Sequence, residues 1–221
     1  MKRLESNLLN MVLVLTISAL FAAGALAGVY MLTEEPIRLA KENKKQEALK
    51  VVLPEFTCLS EPEIVNDLVV VKAYNNDEFV GAAVESSAVG FSGEIKLIVG
   101  FDAEGKIVNY SVLEQYETPG LGTKIVDWFK TDKNRQNICG LNPSQVNFTV
   151  DKDGGDIDAI TASTISSRAF LAAVQAAYQA YANNPDYVDS YSGASAQADV
   201  LPCDTDSLQT TVLPDSIDKK F

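Results

Sequence analysis

From Leu8 to Leu32 the chain carries no charge and is mostly apolar, LLNMVLVLTISALFAAGALAGVYML. As a helix these 25 residues would reach about 37 Å at ~1.5 Å per residue, enough to cross a bilayer with some tilt. The rival reading is a cleaved signal peptide, because Lys2 and Arg3 give a basic start and Ala25-Leu26-Ala27 fits a small-residue cleavage site. The apolar run continues past Ala27 through Val29, Tyr30, Met31 and Leu32. It exceeds the usual signal core of about 7–15 residues, so a retained anchor is expected. Lys2 and Arg3 argue for a cytoplasmic N-terminus, whereas Arg38, Lys41, Lys44 and Lys45 argue the other way. The flank nearest the span is basic only at the N-terminus, which places the following domain on the extracytoplasmic side.

Charge and composition exclude several kinds of chemistry. Set apart from the first seven residues, the remaining 16 basic and 29 acidic residues leave a net charge of −13. Nucleic acid is therefore excluded as a partner, since binding it needs clustered Lys and Arg. The chain has no histidine, which removes the commonest general base and metal ligand. Cys58, Cys139 and Cys203 are widely spaced, so no iron–sulfur or zinc site is expected. One disulfide is open to them outside the cytoplasm, without a choice of pair.

The patterning predicts an α+β domain, an antiparallel sheet packed with helices, preceded by one transmembrane helix. Residues 1–33 form the anchor. Residues 34–54 form a helical stalk, with Pro36 in its first turn, Ile37, Ala40, Ala48, Leu49 and Val52 on an apolar face, and Pro54 as its stop. Residues 55–182 form the folded domain. Strands are expected at 68–74, 79–84, 94–101, 107–113 and 145–150, with turns at 75–77 and 102–105 and a flexible break at 89–93. Ile95, Leu97, Val99 and Phe101 should face a core on one side only, with Glu94, Lys96 and Ile98 opposite. A short helix is expected at 125–130, with Trp128 and Phe129 inward, and a longer one at 165–181. Residues 183–221, rich in Pro, Ser, Asp and Thr, read as an acidic disordered tail.

Two stretches stand out. Gly154 to Arg168, GGDIDAITASTISSR, crowds Thr161, Ser163, Thr164, Ser166 and Ser167 ahead of an Ala-rich helix. Such a cluster is either an ordinary N-cap or a place where helix amides receive a phosphate. Upstream, Glu117 to Lys124, ETPGLGTK, sets Pro119, Gly120 and Gly122 in a tight loop. Either it is a plain turn, or its main chain approaches a flat ligand. No GxGxxG or GxxxxGK[ST] phosphate loop is present.

Taken in order, the anchor, TEEPIRLAKENKKQEALKVVLP, GFSGEIKLIVGFDAEGKIVNYSVLEQYETPGLGTKI and GGDIDAITASTISSRAFLAAVQAAY resemble the FMN-binding domain family of electron-transport complexes. The resemblance is to the G-type subunit of the Rnf ion-translocating complex, with the C-type subunit of the sodium-pumping NADH:quinone reductase as the sister case. It covers roughly residues 8–181. In that family FMN is joined through its phosphate to the last threonine of Asp-x-x-(Ser/Thr)-Gly-Ala-Thr.

The resemblance implies that Asp158 and Thr161 are the first two motif positions and that Thr164 bears the flavin. Ala162 stands where glycine is usual and Ser163 where alanine is usual. Both are small, but Ala162 would be strained if that position needs a positive φ. Ser166 and Ser167 would assist the helix terminus at the phosphate, and Arg168 is either a further partner of its oxygens or a surface ion pair. Thr118, Gly120, Leu121 and Gly122 would line the isoalloxazine. Glu117 and Lys124 either adjust the charge felt by the ring or are surface charges.

The implied function is electron transfer by covalent FMN within a redox-driven translocase that couples ferredoxin and NAD(H) to H+ or Na+ movement. The implied partners are the other subunits of that complex, the membrane, and a flavin transferase for maturation. The implied location is the bacterial inner membrane. The alternatives are the quinone-reductase counterpart and a membrane-anchored binding module without flavin.

Overall fold

The fold is described by a computed structural model covering residues 8–76 and 78–183. The expected disordered tail beyond Asn183, the basic start at Lys2 and Arg3, Asp77 of the predicted turn, and Cys203 lie outside the described residues. The chain divides into two compact units at Gln46/Glu47.

In the first unit one helix, α1 (Leu8–Val52), begins and runs without a break through the apolar stretch. Its apolar side chains there, such as Leu13, Leu20 and Leu26, are exposed. The helix is long and apolar enough to cross a membrane. No break in the helix separates the expected anchor from the expected stalk, and Pro36 lies inside α1 rather than in a first turn. A proline there removes only the N–H that would reach the Leu32 carbonyl. Strong helix formers surround it, and Arg38 bridges Glu35 at 2.6 Å and Glu42 at 2.8 Å along the same face. Ile37 and Ala40, expected on a buried face, are exposed.

The second unit is built on a six-stranded antiparallel sheet: β1 (Cys58–Leu59), β2 (Glu63–Val65), β3 (Leu68–Asn75), β4 (Glu78–Val89), β5 (Glu94–Asp102) and β6 (Ile107–Glu114). The strand order is β1-β3-β4-β5-β6, with β2 also paired to β3. The 102–105 turn forms as expected, with Asp102 Oδ1 accepting the Glu104 and Lys106 amides at 2.9 Å each. Strand β4 is longer than predicted and takes in Val89. The short strands β1 and β2 carried too little pattern to be expected.

Alternation along the strands sends side chains to two cores. Val70, Val84, Leu97, Val99 and Phe101 pack with Phe170, Val174, Ala177 and Tyr181 of α2 (Thr164–Ala182). On the other face Val71, Ala73, Ala83 and Ile98 pack with Ala48, Leu49, Val52 and Leu53. The expected one-sided sheet is thus corrected: Ile98, assigned to the polar side, is 1% exposed. The end of α1 supplies the cover, each buried Leu or Val contributing about 2 kcal/mol.

Gly100 marks how close this cover lies. A Cβ built there would stand 1.9 Å from the Val52 carbonyl oxygen. Gly100→Ala is therefore expected to destabilise the domain by about 3 kcal/mol through overpacking, read as a lower urea midpoint.

Two further expectations are corrected. Residues 145–150 form no strand, and only Val150 makes a parallel bridge, to Ile157. Asn147 diverts the backbone, its N–H donating to Asp156 Oδ2 at 2.9 Å and its side-chain amide to the Gly154 carbonyl at 3.1 Å. The helix expected at 125–130 is instead two 3-10 turns, Gly122–Val126 and Trp128–Lys130, separated at Asp127. Phe129 is fully buried and Trp128 partly so.

Phe170 stacks on Phe129 at 4.6 Å and meets Tyr110 edge-on at 4.7 Å. The Tyr110 hydroxyl donates to the Ile125 carbonyl at 2.8 Å. Burial pushes that phenol well above its ordinary range. These contacts fix the segment after ETPGLGTK against α2. Cys58 is disulfide-bonded, while Cys139 carries a free thiol whose pKa burial raises.

Candidate functional site

The segment entering α2 is held from beneath and left open above. Ile157 and Ile160 are buried and anchor it. Gly155 lies so close to Thr149 that a Cβ would meet its carbonyl oxygen at 2.1 Å. The chain then turns at Ala162, whose φ is +64°. This is the left-handed region, which costs an alanine about 1 kcal/mol and glycine little. The position thus has the positive φ at which an alanine was expected to be strained. Ala162→Gly is expected to raise stability by about 0.5–1 kcal/mol in urea denaturation without loss of any group carried at the site.

Ser163 occupies the N-cap position, but its side chain makes no capping hydrogen bond. Its hydroxyl donates instead to Ser166 Oγ at 2.9 Å. The ordinary-cap reading of this stretch is therefore not the arrangement found. The leading amides of α2 receive no acceptor from the Ser163 side chain, and Thr164 is the first helical residue, half-buried. A helix start in this state favours an anion.

Ser166 continues the chain of hydroxyls, donating to Glu117 Oε2 at 2.5 Å. Glu117 is 4% exposed, so its reading as a surface charge is corrected. Its Oε1 accepts the Phe91 and Ser92 amides at 2.8 and 3.1 Å. One carboxylate thus ties the β4–β5 turn, the ETPGLG loop and the first turn of α2 together. Gly122 makes room for it, because a Cβ there would lie 2.7 Å from Glu117 and 2.9 Å from Ser166 Oγ.

The other expected residues fall at different places around this knot. Ser167 is fully buried and works inward: its hydroxyl accepts the Ile160 amide and donates to the Ser163 carbonyl, both at 3.0 Å. The Asp158 carboxylate turns away from the helix start and accepts from the Arg135 amide at 3.0 Å and guanidinium at 3.4 Å. Thr161 is exposed. In the loop, Gly120 has φ +75° and donates its amide to Thr123 Oγ1 at 3.0 Å. Thr118 closes the turn by accepting the Leu121 amide at 3.2 Å. Leu121 and Lys124 are exposed.

Arg168, expected as a partner of the phosphate or as a surface pair, is the latter. It grips Asp153 with Nε at 2.6 Å and a second nitrogen at 2.7 Å. Those hydrogen bonds hold the Asp153 carboxyl below its usual range. A residue that sequence reasoning missed stands in its stead: Lys152 Nζ donates to Thr164 Oγ1 at 2.9 Å. The only signal was a lone cation in the Asp-Lys-Asp run ahead of the double glycine. Among the described residues no cluster of three or more Asp, Glu or Cys side chains could hold a metal. The site fits a phosphate ester: a half-exposed hydroxyl, an uncapped helix start and one ammonium converge on Thr164.

The chain has relatives among known proteins. The sequence profile of the FMN-binding domain matches residues 90–179. That span includes the β4–β5 turn, the ETPGLG loop and Thr164. The chain is 35% identical to the G-type subunit of the ion-translocating oxidoreductase complex of Vibrio parahaemolyticus, covering 74% of this chain and 84% of that one. It is 44% identical to the corresponding protein of Salmonella typhi over 48% of this chain and 52% of that one. It is 29% identical to that of Methanosarcina acetivorans over 86% and 98%.

Proposed function

Since this chain belongs to the family of G-type subunits of ion-translocating oxidoreductase complexes, we propose that it is an electron-transfer protein with FMN held covalently on Thr164. When bound, FMN supplies one- and two-electron redox chemistry, and the protein supplies position and electrostatics. Thr164 Oγ1 provides the phosphoester oxygen. The uncapped start of α2 and Lys152 provide positive potential for the ester's remaining charge. Glu117, through Ser166 and Ser163, fixes the turn that presents Thr164. Thr118, Gly120, Leu121 and Gly122 form the loop beside it. The single observation that carries the reading is the N-cap serine that leaves its helix uncapped directly before a hydroxyl residue.

The partners are the other subunits of a membrane redox complex that couples electron flow to ion movement. A flavin transferase makes the bond. Residues 1–33 anchor the chain in the cell membrane, residues 34–54 form a stalk, and residues 55–182 carry the flavin. The basic residues Lys2 and Arg3 ahead of the apolar stretch support an extracytoplasmic location for that domain.

The test is direct. The full chain is produced in a host that carries the flavin transferase, purified, denatured and run on a gel. Its band should fluoresce as flavin, and the peptide containing Thr164 should bear the added mass of FMN less water. A dark band from flavin-replete cells would rule out covalent attachment.

A further inference from the structure

We propose that Lys152 is a working member of the attachment site: its ammonium holds the Thr164 hydroxyl during attachment and is afterwards the counter-ion of the phosphodiester. This rests on the reading of Thr164 as the flavin-bearing residue. Lys152 Nζ is 2.9 Å from Thr164 Oγ1, the oxygen that becomes the bridge to phosphorus.

The lysine is aimed by its neighbours. It is the middle residue of the 3-10 turn Asp151–Asp153. Both flanking acids are engaged elsewhere. Asp151 Oδ1 accepts the Ala159 amide at 3.1 Å, and Asp153 takes the Arg168 fork at 2.6 and 2.7 Å. The first bond fastens the turn to the segment that enters α2, and the second fastens it to α2 itself. A solvated surface lysine has no need of such bracing. Here the bracing holds one cation over one hydroxyl in a chain of net charge −12.

The covalent step balances without redox change. Thr164 Oγ1 forms a bond to the phosphorus of the flavin-bearing phosphoryl group in an activated phosphoanhydride donor. The anhydride P–O bond breaks, and the leaving phosphate takes the electron pair. The hydroxyl proton passes to a base of the transferase. Lys152 gives up no proton. It donates to Oγ1 beforehand and to the anionic ester afterwards, a charge-assisted contact of the stronger kind.

The test uses the full chain co-produced with the flavin transferase, comparing wild type, Lys152→Met, Lys152→Arg and Thr164→Val. Attachment is followed as in-gel fluorescence against time, and the attached phosphodiester by its phosphorus resonance. Lys152→Met should attach flavin about tenfold more slowly, the scale of one lost hydrogen bond to a charged group. Its phosphorus resonance should be displaced from that of wild type. Lys152→Arg should recover most of the rate. Urea midpoints should stay near wild type, since Lys152 is exposed. Lys152→Met attaching at the wild-type rate would overturn the inference and leave the Thr164 reading intact. A wild-type band that is dark, or Thr164→Val fluorescing like wild type, would instead overturn the Thr164 reading, and the two failures are told apart by these controls.

Discussion

Thr164→Val, made alongside the flavin transferase, will give a folded protein whose band is dark in a denaturing gel. Valine keeps the branched shape and nearly the helix propensity of threonine. What it lacks is the oxygen that would bond phosphorus. The stability cost is confined to the contact with Lys152. That contact lies at the surface and is worth about 0.5–1 kcal/mol. Loss of covalent flavin should be complete at this position, because the three serines beside it are not ready substitutes. Ser166 and Ser167 are buried and engaged in hydrogen bonds, and Ser163 is turned toward Ser166. Thr164→Ser should retain the fluorescence. A Thr164→Val band as bright as wild type would move the bond to another residue.

Glu117→Ala should be the most damaging side-chain truncation near the site. It leaves the Phe91 and Ser92 amides and the Ser166 hydroxyl without their acceptor. At about 1 kcal/mol for each group left unmatched, the expected loss is ~3 kcal/mol in urea denaturation. Attachment should fall with it, because the same carboxylate holds the first turn of α2 beside the ETPGLG loop. Glu117→Gln is the informative companion. Its amide oxygen can still serve the Phe91 and Ser92 amides, and the Ser166 hydroxyl can turn to accept from its nitrogen. Roughly half of the lost stability should return. Equal stability for Glu117→Ala and wild type would show that the knot does not hold the site.

The pair of substitutions also marks where sequence reasoning stops. The sheet was legible because β3 is a short β-branched run and apolar residues alternate along β5. The helix α2 was legible because Ala, Leu and Val recur on one face of a long run. The strain at Ala162 was legible as a condition, through a glycine expected and an alanine found, and its φ of +64° supplied the rest. Glu117 was not legible. A glutamate reads as a surface charge until three donors from Phe91, Ser92 and Ser166 gather around it, and those lie far apart in the chain. Lys152 was hidden for the same reason, since its partner is twelve residues away across a loop. The second core was half visible. Ala48, Leu49 and Val52 carried an apolar pattern, but nothing local indicated that Ile98 and Ala83 would receive them. Residues 145–150 misled because their alternation is genuine, while the Asn147 side chain offers the backbone other partners.

The half-exposed position of Thr164 at the tip of α2 has a kinetic meaning. A cofactor joined there is leashed to the outside of the fold by a single bond. Its concentration near a docked redox partner is then set by the length of the leash, at millimolar scale for short linkers, and not by how much free flavin the compartment holds. With a flavin joined there, loading would occur once, during maturation, and every later turnover would be a search within a small volume. Such a carrier gains little from tighter non-covalent contacts to the ring. Its throughput would be governed instead by how far the ring can swing from Thr164.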